Sequence, residues 1–446
     1  MYFRHISKAM EAWANAKDQQ KPLLITGARQ IGKTFVVRET LKPLCKELHV
    51  FNFEKSPKLA EIFDSDLDPR NIVSKLSILI NMDISDTTDI LFFDEIQAFE
   101  KAVTTLKYFK EEMPEMRVIA TGSYIGLMQG FPVGQVNLLN MFPMTFEEFL
   151  IARLGDGPIL KSFQKLDIEN KSLFEKVWPL LLEYFYVGGL PEGIHIWLDK
   201  RDKSVVQAAE SVRAYQNQLI ANYALDFGKY SNKNATHISS VFRNVPYQLS
   251  KAQDGSVKKF KFKDVVNGKK SFTQLQGPID WLDQMRVIYK SSTISEPKTP
   301  ILVKDSLFRA FIFDMGMLSC MLNIPLQQHL DDNFAYKGYL AENFVANELR
   351  ASGITKIYGW ESEKGSAEVE FVIEVNEDKI AVPIEVKSGA NTRAKSLGVY
   401  IDRYSPKAFV KLIGSIGFYH ENGITLPLFY AGKIKGILGA KYLLNT

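Results

Sequence analysis

The stretch that decides the fold of the N-terminal part of this chain is Gly27-Ala28-Arg29-Gln30-Ile31-Gly32-Lys33-Thr34. It follows the apolar run PLLIT at residues 22–26 and precedes the helix-like run TFVVRETL at residues 34–41. A strand, a glycine-containing loop and a helix in this order are the context that the pattern G-x-x-x-x-G-K-[ST] requires. Backbone N–H groups of such a loop surround a phosphate, and the helix directs its positive end toward it. The stretch therefore predicts a phosphate-binding loop.

The residues of this loop have separate predicted roles. All eight are expected to bind the nucleotide, with Lys33 reaching the β- and γ-phosphates of ATP and the Thr34 hydroxyl group ligating magnesium. A chance match to the pattern has a probability on the order of a few per cent in a chain of this length, and the strand–loop–helix context lowers it further. We therefore expect ATP and Mg²⁺ as cofactors, with ATP and ADP as ligands.

A second stretch, Ile90-Leu91-Phe92-Phe93-Asp94-Glu95, is an apolar strand that ends in two carboxylates. By itself, an Asp-Glu pair at a strand end is most often a solvated turn or a helix cap. Combined with the phosphate-binding loop, it predicts that Asp94 holds the magnesium through water and that Glu95 polarises the attacking water as general base. The two stretches together favour ATP hydrolysis.

The run RVIATGSY at residues 117–124 has the pattern of a further strand that ends in polar residues. From that position, Thr121 or Ser123 would hydrogen-bond the γ-phosphate or the attacking water, and both are predicted catalytic residues. A simple turn at the strand end explains these two residues equally well.

The bulk composition is that of an ordinary soluble globular protein, with 46% hydrophobic and 24% charged residues. No apolar run approaches the roughly 18 residues of a membrane-spanning helix, so no membrane partner is expected. The N-terminus has the pattern of an amphipathic helix and lacks the apolar region of a signal peptide. Two cysteines, Cys45 and Cys320, are too few for a disulfide framework or a zinc cluster, which fits the cytoplasm.

The organisation along the chain is α/β. Strand and helix signals alternate over roughly residues 20–125, which predicts a parallel sheet with helices packed on it. Residues 146–230 are mostly helical by pattern, and a mixed α/β segment begins near residue 330.

Residues 231–300 form a basic segment with twelve basic and five acidic side chains. The basic residues are Lys233, Arg243, Lys251, Lys258, Lys259, Lys261, Lys263, Lys269, Lys270, Arg286, Lys290 and Lys298. Two helices followed by a strand are the order of a winged-helix module, and a recognition helix would begin at Ser271, Thr273, Gln274 and Gln276. DNA is therefore a candidate partner, because lysine and arginine neutralise phosphates. A packing module with a solvated lysine surface is an equally good interpretation.

Four charged residues near the C-terminus form a candidate nuclease-like site: Glu342, Glu370, Glu385 and Lys387. Glu342 lies in an amphipathic helix pattern that ends near Gly353. Glu370 lies in a strand pattern, and Glu385 and Lys387 alternate along another strand, so these two side chains share one face. Two carboxylates on neighbouring strands would hold a second divalent metal, and the lysine would orient the attacking water. The alternative is the polar face of an exposed sheet.

Taken together, the motifs resemble those of a bacterial and archaeal family of AAA-type ATPases fused to a C-terminal domain of unknown function with a restriction-endonuclease-like, PD-(D/E)xK fold. The resemblance covers nearly the whole chain. The stretches that carry it are GARQIGKT, LFFDEIQ, ATGSY, MFPMTFEEFL, YVGGLPEGI, YKGYLAENFVANEL and PIEVKSG.

The resemblance implies four parts: an AAA-type P-loop nucleotide-binding domain at 1–145, a helical lid at 146–230, a winged-helix-like module at 231–300 and a nuclease-like domain at 301–446. Two departures from the family pattern bear on activity. Family members often carry Gly-Arg where this chain has Gly134-Gln135, which implies slow turnover or an arginine supplied from elsewhere. They also usually carry Asp at the position of Glu370, which puts nuclease activity in doubt.

Three functions remain open from the sequence. The leading one is an ATP-driven enzyme that acts on DNA and controls a nuclease-like domain. The second is a nucleotide-gated switch or scaffold whose nuclease-like domain is catalytically inactive and binds a protein partner. The third, a ring-forming remodelling ATPase that assembles as a homo-oligomer, is least favoured because no arginine finger or pore-loop motif is recognisable.

Overall fold

The protein is described by a computed structural model. It covers residues 2–16, 21–123, 132, 134–230, 234–250, 259–331, 338–363, 365–375, 380–387 and 394–440. The chain divides into two compact units, Met1–Phe142 and Pro143–Thr446.

The first unit contains a five-stranded sheet with strand order β2-β3-β4-β1-β5, in which all neighbouring strands are parallel. Its strands are β1 (Leu23–Thr26), β2 (Leu48–Asn52), β3 (Ile90–Asp94), β4 (Arg117–Gly122) and β5 (Asn137–Asn140). Its helices are α1 (Ile6–Ala14), α2 (Lys33–Leu41), α3 (Leu59–Ser65), α4 (Pro69–Ile80) and α5 (Glu100–Glu112). Short 3₁₀ helices span Lys42–Leu44 and Ile96–Ala98.

Burial of the central strands explains why this sheet forms. Every residue of β3 is buried, as expected for an apolar run in a parallel sheet covered on both faces. Phe93 of β3 packs edge-to-face against Phe53 and Phe63, with ring centroids 5.8 Å apart in both pairs. The apolar side chains of this core fix β3 beside β2 and β4, and so fix the position of the polar residues at the strand ends.

Two glycines shape the connection from β1 to α2. A Cβ atom on Gly27 would collide with the carbonyl oxygen of Met141, so no other residue fits there without a shift of the backbone. Gly32 precedes α2 with φ 90° and ψ 23°, a left-handed conformation that glycine adopts at little cost. The loop can therefore turn sharply from the strand into the helix.

In the described part of the second unit, seven helices precede the first strand, and further helices lie between and after the strands of one sheet. Its helices are α6 (Phe146–Leu154), α7 (Pro158–Gln164), α8 (Lys171–Val187), α9 (Pro191–Lys200), α10 (Val205–Tyr230), α11 (Ala235–Ser250), α12 (Phe272–Gln284), α13 (Met315–Met321), α14 (Leu326–Leu330), α15 (Gly338–Ala351), α16 (Lys395–Tyr404) and α17 (Ile434–Leu438). A 3₁₀ helix spans Leu428–Lys433.

The sheet of the second unit has eight strands in the order β12-β13-β11-β10-β9-β8-β6-β7. They are β6 (Ile288–Ile294), β7 (Phe308–Ile312), β8 (Ile357–Glu361), β9 (Glu368–Val375), β10 (Ile380–Lys387), β11 (Phe409–Ile413), β12 (Phe418–His420) and β13 (Gly423–Pro427). The sheet is mixed: β9 runs antiparallel to β10, whereas β10, β11 and β13 run parallel. Strands β6 and β7 form an antiparallel hairpin at one edge.

The predicted fold class is confirmed: a parallel sheet typical of P-loop ATPases occupies the first unit, and a separate mixed sheet lies in the C-terminal part. Helices α6 to α10 fill the stretch expected to be helical. The division at 1–145, 146–230, 231–300 and 301–446 stays a prediction. Eight residues named in the sequence motifs lie outside the described residues: Tyr124, Lys233, Lys251, Lys258, Tyr336, Lys337, Ser388 and Gly389. Among the helices that are described, none is long and apolar enough to cross a membrane.

Candidate functional site

The carboxyl ends of the parallel strands carry polar residues, and all of these ends lie on the same side of the five-stranded sheet. Because the strands are parallel, the loop after β1, Asn52 at the end of β2, Asp94 at the end of β3 and Ser123 just beyond β4 come to the same edge. Ligands of open α/β sheets bind at the carboxyl ends of the strands. The structure thus brings the predicted loop and the predicted carboxylates together.

Lys33, the first residue of α2, is buried, and its ammonium group donates three hydrogen bonds. Its Nζ donates to the carbonyl oxygens of Gly27 at 3.1 Å and Ala28 at 2.8 Å, and to Oγ of Ser123 at 2.9 Å. Burial lowers the pKa of Lys33 to about 8, although the nearby carboxylates of Glu95 and Asp94 act in the opposite direction. The lysine is therefore held inside the loop, where a phosphate group would replace these acceptors.

Asp94 is the centre of a hydrogen-bond network. Its Oδ1 accepts from the hydroxyl groups of Thr34 at 2.9 Å and Thr121 at 2.6 Å. Its Oδ2 accepts from the side-chain amide of Asn52 at 2.8 Å. A carboxylate and a hydroxyl oxygen held this close are suitable ligands for Mg²⁺, which prefers oxygen atoms. Thr34 and Asp94 thus fit the magnesium ion that accompanies ATP.

Glu95 directly follows β3 and has φ 52° and ψ 45°, which is uncommon for a residue other than glycine. Its Oε2 accepts a hydrogen bond of 2.6 Å from the side-chain amide of Gln97. Such backbone outliers are found at functional sites, where surrounding structure maintains them.

Other loop residues are fixed by contacts within the same unit. Arg29 forms an ion pair of 2.6 Å with Glu54. The buried side chain of Arg4 donates to the carbonyl oxygen of Ile31 at 2.9 Å. Gln30, like the glycine two residues later, has a positive φ, of 64°. Gln135, at the position of the family's arginine, has a buried side-chain Oε1 without a hydrogen-bond partner.

Three residues of this site, Asn52, Gln97 and Arg4, belong to none of the sequence motifs. Asn52 is the Cα partner of Asp94 in the register between β2 and β3, and this register depends on tertiary packing. A polar residue at the end of the alternating strand LHVFN was the available signal. Gln97 follows Glu95 by two residues, but only the 3₁₀ turn brings the two side chains together.

The C-terminal residues Glu370, Glu385 and Lys387 lie on the neighbouring strands β9 and β10. Nζ of Lys387 is 2.6 Å from Oε1 of Glu385 and 3.5 Å from Oε1 of Glu370. The backbone N–H of Val386 donates to Oε2 of Glu370 at 3.0 Å. Both carboxyl groups are buried, and Oε2 of Glu385 has no hydrogen-bond partner.

The electrostatics of this cluster are set by burial and by the charges of its three side chains. Burial, reinforced by the charge of Glu370, raises the pKa of Glu385 to about 8. Although burial opposes it, the two carboxylates together raise the pKa of Lys387. The ammonium group lies beside both carboxyl groups, where a metal would have to bind. In the parts of the chain that are described, no group of three or more His, Cys, Asp or Glu side chains is placed to hold a metal.

Glu342 lies on α15 and forms an ion pair of 3.2 Å with Arg309 of β7. Both side chains are buried. The guanidinium of Arg309 also packs over the rings of Phe311 and Phe371, with its central carbon 5.7 Å and 5.3 Å from the ring centres. Glu342 therefore contacts a buried arginine that belongs to none of the sequence motifs.

Three segments of the chain match known families. Residues 19–150 match an AAA domain, residues 179–328 match a domain of unknown function, DUF8612, and residues 337–422 match another, DUF4143. No curated protein sequence matches this chain.

Solved structures give weak overall similarities. The Walker-type ATPase PABY2304 of Pyrococcus abyssi is 13% identical, with a TM-score of 0.45 over 72% of this chain and 96% of that chain. The Orc1 protein of Aeropyrum pernix, solved in complex with DNA, is 10% identical, with a TM-score of 0.31 over 74% and 95%. The RuvB Holliday junction branch migration motor of Thermotoga maritima is 13% identical, with a TM-score of 0.30 over 68% and 93%. These scores are too low to transfer any property to this chain.

The family match and the site agree. The matched residues 19–150 contain the phosphate-binding loop, Asp94 and Glu95, and the strands that carry them form the parallel sheet of the first unit. Residues 19–150 are therefore similar to an AAA domain, and they carry the strand–loop–helix and the parallel sheet that a P-loop nucleotide site requires.

Proposed function

We propose that the chain hydrolyses ATP at the edge of the five-stranded sheet. The observation that carries this proposal is the contact of 2.9 Å between the Thr34 hydroxyl group and Oδ1 of Asp94, with Glu95 as the next residue. The two predicted magnesium ligands are thus in hydrogen-bond contact, and the predicted general base directly follows one of them in the chain.

Each residue has a defined part in the reaction. Lys33 exchanges its three protein acceptors for phosphate oxygens when ATP binds. Glu95 accepts a proton from the attacking water, whose oxygen bonds to the γ-phosphorus as the bond to the leaving oxygen of ADP breaks. Thr121 or Ser123 contacts the γ-phosphate or this water. Thr34 and Asp94 would hold Mg²⁺, which would supply positive charge beside the phosphates.

Comparison of the wild-type protein with Glu95→Gln tests this function. The amide cannot accept the proton, so the variant should bind ATP with nearly wild-type affinity while its turnover stalls. Steady-state hydrolysis and equilibrium binding of ATP in Mg²⁺ measure the two properties separately. Unchanged turnover in Glu95→Gln would place the general base elsewhere.

We propose further that the ATPase acts on DNA through residues 231–300. The support is the order of α11, α12 and the antiparallel hairpin β6–β7, together with exposed Lys261 and Lys263 before α12. The exposed side chains at the start of α12 that would contact DNA are Ser271, Thr273 and Gln276. The side-chain oxygen of Gln274 instead accepts from the backbone N–H groups of Lys270 at 2.8 Å and of the N-cap residue Ser271 at 3.3 Å, and so caps the helix.

The DNA proposal and the nuclease-like site are tested in one assay. ATP hydrolysis is measured with and without DNA while the DNA is followed for cleavage in Mg²⁺ and in Mn²⁺. Stimulated hydrolysis, with cleavage that Lys387→Ala abolishes, would support an ATP-coupled nuclease with a second metal at Glu370 and Glu385. Hydrolysis that is indifferent to DNA, with the DNA intact, would refute it.

The second candidate function is a nucleotide-gated switch or scaffold with an inactive nuclease-like domain. Two observations favour it: Lys387 lies against both carboxyl groups, and burial together with the charge of Glu370 raises the pKa of Glu385. A metal bound between the two carboxyl groups would have to displace the ammonium group. Intact DNA in the same assay, together with a change of shape between the ATP and ADP states in small-angle scattering, would support this candidate.

A further inference from the structure

We propose that Gln97 is a positioning residue for ATP hydrolysis, which holds the Glu95 carboxylate and connects it to the end of β4. This inference rests on the ATPase function proposed above. Gln97 lies in the 3₁₀ helix Ile96–Ala98 and is only 9% exposed. Its place in the molecule is therefore inside the site and not on its solvated rim.

Both polar atoms of the Gln97 side chain contact groups of the site. Nε2 donates to Oε2 of Glu95 at 2.6 Å, and Oε1 accepts from the backbone N–H of Ser123 at 3.3 Å. A hydrogen bond to a carboxylate is stronger than one between neutral groups, so the first contact restricts the Glu95 side chain most. The second contact fixes the amide group itself, which would otherwise rotate.

The backbone makes this restraint effective. Glu95 is held in the left-handed region, and the N–H of Ala98 donates to its carbonyl oxygen at 3.0 Å. With the backbone fixed in this way, the position of the carboxylate depends on the torsion angles of the side chain. Gln97 restricts these angles, and a general base must lie within hydrogen-bond reach of the water that it deprotonates.

The same contacts link the base to the phosphate-binding lysine. Ser123 accepts from Nζ of Lys33 through its hydroxyl oxygen at 2.9 Å and donates to Gln97 through its backbone N–H. A continuous path therefore runs from Lys33 through Ser123 and Gln97 to Glu95.

Two variants separate positioning from a merely structural role. Gln97→Glu keeps the length of the side chain and an acceptor for the Ser123 N–H, but it replaces the donor to Glu95 with a second carboxylate. Gln97→Ala removes both contacts. Asn71→Ala is the matched control, because Asn71 makes a hydrogen bond of the same length, 2.6 Å, to Asp66 in the same unit but away from the nucleotide loop.

The experiment measures ATP turnover, KM and equilibrium binding for these variants in the full chain, alone and combined with Glu95→Gln. We expect both Gln97 variants to lower kcat by roughly 10- to 100-fold, as small misplacements of catalytic groups do, with ATP affinity nearly unchanged. In the Glu95→Gln background, Gln97→Ala should cause little further loss, because residues that act as a unit are not additive.

The outcomes separate this inference from the function on which it rests. Wild-type turnover in Gln97→Glu and Gln97→Ala, with turnover still lost in Glu95→Gln, would overturn the role of Gln97 and leave the ATPase intact. Equal losses of kcat and of ATP affinity, or additive losses in the double variant, would also overturn it in favour of a structural role. Absence of hydrolysis by the wild-type protein would contradict the proposed function itself.

Discussion

The hydroxyl group of Thr34 lies 2.9 Å from Oδ1 of Asp94 and donates a hydrogen bond to it, which joins the first turn of α2 to the end of β3. One residue belongs to the phosphate-binding loop and the other to a strand sixty residues later. Their contact shows that the two motifs form one site before any ligand binds. Such preorganisation lowers the cost of ordering the site when a nucleotide arrives.

The first prediction concerns Thr121, which also donates to Oδ1 of Asp94, at 2.6 Å. Thr121→Val keeps the shape of the side chain but removes this donor, so Asp94 should be held less firmly. We expect turnover to fall by roughly tenfold and the Mg²⁺ concentration for half-maximal activity to rise, since groups behind a metal ligand typically contribute this much. A magnesium titration of ATP hydrolysis measures both effects.

Thr105→Val is the control for this substitution. Thr105 is also fully buried and donates through its hydroxyl group, but to the carbonyl oxygen of Ala102 in α5. Its variant should keep the wild-type magnesium dependence. Equal magnesium profiles for Thr121→Val and the wild-type protein would contradict a role for Thr121 at Asp94.

The second prediction is a pH dependence of nucleotide binding. Because burial lowers the pKa of Lys33 to about 8, the free protein loses the lysine's positive charge as the pH rises through that value. Binding of the anionic phosphates requires the charge, so a proton must then be taken up. We expect the dissociation constant of ATP in Mg²⁺ to be flat below about pH 8 and to rise by up to about tenfold per pH unit above it.

Lys33→Arg provides the comparison, because arginine stays charged across this range. If this variant binds ATP, its affinity should not change between pH 7.5 and pH 9.5. A constant wild-type affinity over the same interval would mean that Lys33 does not titrate there.

Local pattern predicted the motifs of the nucleotide site well, and tertiary contacts account for what it missed. Residues Gly27 to Thr34 are consecutive, so their pattern can be read directly from the sequence. The positive φ of Gly32 shows why glycine is favoured at that position. The contact of Asn52 with Asp94 instead depends on which strands are neighbours and on their register. No pattern within a single strand contains that information.

The C-terminal cluster shows the same limit. Alternation along β10 was enough to predict that Glu385 and Lys387 share a face, which is where the structure has them. It was not enough to show that the lysine would lie against both carboxyl groups, or that Glu342 would contact Arg309, 33 residues earlier in the chain. Those outcomes depend on burial, and burial is a property of the folded unit.

The third prediction concerns Glu348 of α15, a buried carboxyl group that accepts from the backbone N–H of Phe146 at 2.9 Å. Burial raises its pKa from 4.5 to about 8. The folded protein therefore retains a proton that the unfolded chain releases above pH 4.5. The contribution of this proton to the free energy of unfolding is full below about pH 4.5 and is lost as the pH rises to about 8.

Glu348→Gln should remove that dependence, because its amide stays neutral and its oxygen can still accept from Phe146. Between pH 5 and pH 8 the wild-type protein should lose unfolding free energy relative to Glu348→Gln. The expected change in this difference is on the order of a few kcal/mol. Denaturant unfolding at several pH values measures it. Glu421→Gln, a change at an exposed glutamate of the same unit, is the control, and parallel curves for Glu348→Gln and wild type would refute the prediction.

The fourth prediction is that Lys387 stabilises the C-terminal sheet whether or not the cluster is catalytic. Lys387→Ala removes the ammonium group that lies within 3.5 Å of both buried carboxyl groups, Glu370 and Glu385. The expected loss of unfolding free energy is roughly 1–3 kcal/mol, since one carboxyl group can stay protonated and limit the cost. Lys433→Ala, which breaks a pair with the single carboxylate of Glu147, should lose less. Equal stability of Lys387→Ala and wild type would contradict the arrangement described here.

Equilibrium binding of ATP in Mg²⁺ to the wild-type protein and to Lys33→Ala measures whether the loop from Gly27 to Thr34 is the nucleotide site. Both proteins should unfold cooperatively, which thermal unfolding establishes first. We expect saturable binding by the wild-type protein and none by Lys33→Ala, because the buried ammonium group that would hold the phosphates is gone. Retained ATP affinity in folded Lys33→Ala would contradict the assignment of this loop as the nucleotide site.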